Sequence, residues 1–82
     1  MTQDLDARLA RLQGSDDVYA LIDLGCDLAD EGRQIDAEWC FRRAADLGDT
    51  VGSFNLGNAL AAQQRWPEAV VAYEFDSTGN TR

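Results

Sequence analysis

The chain has no lysine, no histidine, one proline and two cysteines among its 82 residues. Every positive side chain is therefore an arginine, and 7 arginines stand against 15 carboxylates for a net charge of −8. That balance opposes nucleic-acid binding, whose affinity comes mostly from cationic contacts to phosphate. It suits a basic partner, and it is equally a means of staying soluble. Two thiols without an imidazole make a poor zinc site, and nothing beside them would activate a nucleophile. Cys26 and Cys40 allow at most one disulfide, and in a reducing compartment they read as small, semi-buried hydrophobes. No apolar run approaches the ~18 residues of a membrane span, and the start lacks the basic-then-apolar order of a signal peptide. The cytoplasm is the expected location, with no cofactor. The single proline and a hydrophobic content of 45% argue against disorder.

What is present is an internal repeat. Leu24-Gly25, Leu28, Ala37 and Phe41 recur as Leu56-Gly57, Leu60, Ala69 and Tyr73, each 32 residues later. Leu24 with Leu28, and Leu56 with Leu60, form an apolar ridge at helical spacing. Gly25 and Gly57 sit inside these helices despite a cost of roughly 1 kcal/mol against alanine, so another backbone is expected to come close. Ala37 and Ala69 are expected to supply the facing small surface, with Phe41 and Tyr73 restoring volume beside it. A repeated unit of this length means stacked helix pairs, because one unit cannot bury its apolar face alone. Stacking by local contacts also suits a chain this short, which buries only about 60% or slightly more of its unfolded surface.

These residues resemble the tetratricopeptide repeat, a helix–turn–helix unit of about 34 residues. FNLGNAL, then the acid and alanine of PEA, then an aromatic four residues on, are close to that family's core, and the likeness covers residues 18 to 75. It implies an all-α, right-handed stack of antiparallel helix pairs, about two and a half repeats in five helices. Three departures are visible. The period is two residues short, with the loss in AADLGDTVGSFNLG, a segment similar to Sel-like repeats. The early aromatic of the first helix is replaced by Leu21 and Ser53, and Asp76 stands where Ala44 is small.

Residues 1–14 read as a half-unit, a helix from Thr2 to Gln13 whose Leu5, Leu9 and Leu12 align with Ala37, Phe41 and Ala44. Residues 15–48 form the first repeat, capped by Ser15 or Asp16 and broken at Gly32 and Gly48. Residues 49–76 form the second, with Asp49 or Thr50 starting one helix and Pro67 in the first turn of the last, which runs to Phe75. Residues 77–82 read as a flexible tail.

In the family the first helix of each pair lines a concave face. Carried over by motif, the resemblance implies peptide contact by Tyr19, Ile22, Asp23, Cys26 and Asp30 in the first unit. In the second it implies Val51, Phe54, Asn55 and Asn58, with alanines 29, 61 and 62 between them. Asn55 and Asn58 share a helix face, and their amides could grip an extended peptide, or they simply belong to the repeat pattern. Asp23, Asp27 and Asp30 form an acidic stripe that works slightly against its own helix, which suits a basic ligand or a solvated outer face. Carboxylates can serve glycosidase chemistry, but a stack of helices offers them little enclosure. The chain is read as a non-enzymatic module binding a peptide or partner helix. The alternatives are a self-associating structural unit and a piece of a longer repeat scaffold.

Self-association would use the last helix. Val70, Val71, Tyr73 and Phe75 wrap most of the way round it, and an apolar surface of that kind normally meets another chain. A two-fold homodimer is the simplest closed form. Trp39 reads as a lid on the core or a contact residue, and Trp66 is expected to pack against the preceding helix end.

Overall fold

The computed structural model describes the backbone of residues 2–78 and the side chains of residues 5–74. Its regular structure is helical throughout: α1 (Thr2–Arg11), α2 (Val18–Asp30), α3 (Gln34–Asp46), α4 (Thr50–Ala62) and α5 (Trp66–Thr78). The last four helices are 13 residues each and begin at residues 18, 34, 50 and 66, sixteen apart. The 32-residue repeat is thus two half-units of equal length.

Three turns of one construction set that length. Each helix ends in a residue with positive φ, at Gly32 (81°), Gly48 (94°) and Gln64 (61°). The next amide then reaches back five residues, from Arg33 to the Leu28 carbonyl at 2.8 Å, Asp49 to Ala44 at 3.1 Å and Arg65 to Leu60 at 2.9 Å. This is the Schellman closure, which satisfies the orphan carbonyls of a helix end within three residues. Asp49 serves both sides of its turn. Its N–H closes α3 while its carboxylate accepts from the Val51 and Gly52 amides at 2.8 and 3.1 Å. No residue is left over between α3 and α4, which is why the period falls short of 34.

The helix boundaries fall within about two residues of the expected breaks, α1 stopping at Arg11 rather than Gln13, and two assignments change. Asp17, rather than Ser15 or Asp16, caps α2, accepting from the Ala20 amide at 3.1 Å; Ser15 Oγ instead accepts from the Asp17 amide. At the other end α5 runs on through Ser77 and Thr78, residues assigned to the tail, because no proline or glycine stands there to stop it. Residues 79–82 lie outside the described part.

Consecutive helices pack against one another, and α2 also touches α4, in a slab of 41 × 27 × 14 Å. Leu24, Leu28, Phe41, Leu56 and Leu60 form the core with small residues between them. Leu5 of α1 joins it, and Leu9 and Leu12 pack half-buried beside it. The glycines set the approach distances. A Cβ on Gly25 would lie 2.5 Å from the Phe41 ring, and one on Gly57 would lie 2.5 Å from the Tyr73 ring. The aromatic itself therefore fills each glycine's notch, where the sequence suggested Ala37 and Ala69. Between the units, a Cβ on Gly52 would meet the Ala44 Cβ at 2.7 Å and the Ala45 backbone at 2.9 Å. Ser53 beside it is buried with a hydroxyl that has no partner among the described residues, a cost of about 1–3 kcal/mol. It stands where the first unit has Leu21, and the shorter side chain allows α4 to sit close on α3.

Candidate functional site: the groove between the first helices of the two units

Helices of equal length joined by equal turns place α2 and α4 side by side, and a groove of about 270 Å³ opens where they meet α3. It is lined by Cys26, Ala29, Asp30, Gln34, Phe41, Asn55, Asn58, Ala59 and Ala62. Six of the residues expected on the concave face, Cys26, Ala29, Asp30, Asn55, Asn58 and Ala62, come together here. Their spacing is the reason: 26 and 30 are one turn apart on α2, and 55 and 58 are one turn apart on α4.

The polar groups of the groove are differently engaged. Asn58 accepts a hydrogen bond from the Tyr73 hydroxyl at 2.5 Å, which uses its carbonyl and leaves its NH2 donors. The Phe54 ring stands 5.8 Å from the Tyr73 ring, tilted by 48°. Asn55 is half-buried, and its amide has no hydrogen-bond partner among the described residues. Asp30 is the only charged residue lining the groove. Burial pushes the Cys26 thiol up from its ordinary value, and the carboxylates of Asp30, Asp23 and Asp27 push it further. The α2 wall of the groove thus sits in a negative field.

The other expected contact residues go elsewhere. Asp23 turns toward α1, where Arg8 pairs with it at 3.3 Å and with Asp27 at 2.8 Å. It lines a separate hollow with Arg8, Arg11, Leu12 and Ala20. The acidic stripe is therefore divided: two carboxylates share one guanidinium, and Asp30 remains for the groove. Ile22 packs half-buried against the core. Tyr19 is 84% exposed at the start of α2, and Val51 stands exposed at the start of α4. Gln34, Phe41 and Ala59 were not foreseen. Gln34 reaches the groove because the three-residue turn folds the first residue of α3 back under α2, where its side chain donates to the Ala29 carbonyl at 3.4 Å.

The outer side of α5 differs from the sequence expectation in one residue. Val70 and Val71 are exposed as expected, but Tyr73 turns inward onto Gly57 and the groove. The Phe75 side chain lies outside the described residues. Trp66 is 58% exposed rather than covered by the end of α4. Trp39 packs half-buried against the core. Cys40 is fully buried, and burial pushes its thiol up to about 11.

Among the described residues no helix is long and apolar enough to cross a membrane. Comparison with protein-family models, curated proteins and solved structures gave no match, so the likeness to tetratricopeptide repeats rests on residues and spacing alone.

Proposed function

We infer that the chain is a non-enzymatic, cytoplasmic interaction module of tetratricopeptide-like helix pairs. It holds a peptide or partner helix in the groove between α2 and α4, and the partner presents a basic side chain to Asp30. The observation that carries this reading is the Asn55 amide, half-buried in the groove with donors and acceptor unspent. The amide still reaches solvent, so a ligand that replaces its water with direct hydrogen bonds gains orientation and specificity there. Asp30 adds charge preference, because no cation lines the groove beside it.

Selection from a displayed random-peptide library on the whole protein tests this. The expected binders are enriched in arginine or lysine, and Asn55→Ala weakens them by about 1–3 kcal/mol while the helical signal is unchanged. Asp30→Asn should weaken them and flatten their salt dependence. Binders indifferent to both substitutions would remove the groove from consideration.

A further inference from the structure

Away from the groove residues, α3, α4 and α5 enclose an apolar notch of about 320 Å³. Leu56, Leu60, Pro67, Val71 and Ala72 line it, with Arg42 and Glu68 at the rim. The 32-residue offset gives it an internal counterpart. Leu24 and Leu28 stand where the notch has Leu56 and Leu60, Cys40 where it has Ala72, and Trp39 where it has Val71. In the first unit the Trp39 indole packs against the core, and both leucines are fully covered. In the second unit the indole is missing, Val71 is 65% exposed, and Leu56 keeps 7% of its surface accessible, though Leu60 is buried. At this seat the first unit thus carries an indole that packs on the core, and the second leaves the position to an exposed valine.

We propose that the empty seat is filled by Trp66 of a second copy in a two-fold dimer. Trp66 is the other half of the arrangement: an exposed indole adjoining Pro67, with Val70 also exposed on the same helix. A patch that carries both the projecting ring and the hole to receive it is self-complementary, as a two-fold interface requires. Crossing the N-terminal halves of the two α5 helices seats both indoles at once.

The charge distribution selects this face over the others. With eight net negative charges, two copies repel except where the signs balance. α2 and its C-cap carry four carboxylates, Asp23, Asp27, Asp30 and Glu31, and among the described residues Arg8 pairs with only the first two. Around the notch Arg42 and Arg65 match Glu38 and Glu68, linked at 2.9, 2.7 and 2.7 Å. The rim presents one sign of each, so Arg42 of one copy can face the partner's Glu68.

Sedimentation equilibrium of the full chain from 1 to 200 µM tests the inference. The expected result is a concentration-dependent doubling of the 9.0 kDa mass, accompanied by a blue shift of tryptophan emission. Two variants should each return the mass to monomer with helical content retained. Trp66→Ser removes the projecting ring. Val71→Trp fills the seat from within the chain, as Trp39 does in the first unit, and so does not depend on removing a contact. Asn55→Ala should leave the dimer intact, which separates this interface from the peptide groove. A monomer at 200 µM overturns the proposal, and so does a dimer that survives both Trp66→Ser and Val71→Trp.

Discussion

Gly57 and Tyr73 occupy one another's space: a Cβ on the glycine would lie 2.5, 2.6 and 2.9 Å from three atoms of the tyrosine ring. The ring cannot swing aside freely, because its hydroxyl donates to Asn58 and its face meets Phe54. Gly57→Ala gains up to about 1 kcal/mol of helix propensity and loses more to overpacking, which typically costs about 1–3 kcal/mol. A net loss is expected in urea unfolding, larger for Gly57→Leu. In the background of Tyr73→Leu the same Gly57→Ala change should become neutral or stabilising, and a double-mutant cycle measures that coupling. Additive effects would show that the ring is not what requires the glycine.

Gln64 holds the position that Gly32 and Gly48 hold in the other turns, with φ of 61°. The left-handed region costs a residue with a Cβ roughly 1–2 kcal/mol, part of which glycine gives back through its looser unfolded chain. Gln64→Gly is therefore expected to stabilise by about 0.5–1 kcal/mol, and each kcal/mol moves the melting temperature of a domain this size by about 4–8 °C. Gly48→Ala is the reverse experiment and should lower it. Differential scanning calorimetry of the two variants decides the sign.

How far the sequence reaches is visible in these same residues. Gly14, Gly32 and Gly48 announced their turns because glycine is the residue that takes positive φ without strain, and all three do. The turn at Gln64 was found only by the 32-residue offset and by Pro67. The pairing of Gly57 with Tyr73 was legible as a close approach, but which side chain filled it was not, since spacing ranks faces and not rotamers. Asp23 was placed in the groove by the resemblance to the repeat family, whose first helices line the concave face. An ion pair with Arg8, on a helix 15 residues earlier, draws it away, and no local pattern encodes that partner. The notch over Leu56 and Leu60 has a related origin. It arises from one difference between the units, Trp39 against Val71, whereas a repeat is defined by what its units share.

Glu38 is where the two units are tied by charge. It accepts from Gln63 at 3.0 Å and Arg65 at 2.7 Å, beyond the end of α4, and pairs with Arg42 one turn along its own helix. Burial would push its carboxyl up, but the hydrogen bonds from Gln63 and Arg42 and the charges of Arg65 and Arg42 outweigh it and hold it below its ordinary value of 4.5. A carboxyl depressed in the folded state contributes stability above its unfolded pKa and loses it as pH falls through the folded value. Wild-type stability should therefore decline from about pH 5 downward more steeply than that of Glu38→Gln. Urea midpoints at pH 6.5 and 3.5 compare the two slopes, and parallel declines would mean that the contact contributes nothing to acid sensitivity.

The two thiols offer a readout of the groove itself. Cys26 is exposed on its wall, while Cys40 is buried in the core with its thiol pushed up to about 11. The thiolate is the reacting species, so burial and a raised pKa both protect Cys40. Cys26 is also slowed by the neighbouring carboxylates, Asp30 first among them, but it remains accessible. One thiol per folded chain should react with an aromatic disulfide reagent, and the second only after unfolding. Asp30→Asn should quicken the first reaction by lifting part of the negative field, most visibly at low salt. The adduct then stands between Asp30 and Asn55, so the modified protein should lose the peptides selected on the unmodified one while keeping its helical signal. Retained binding with Cys26 blocked would place the peptide on another face of the slab.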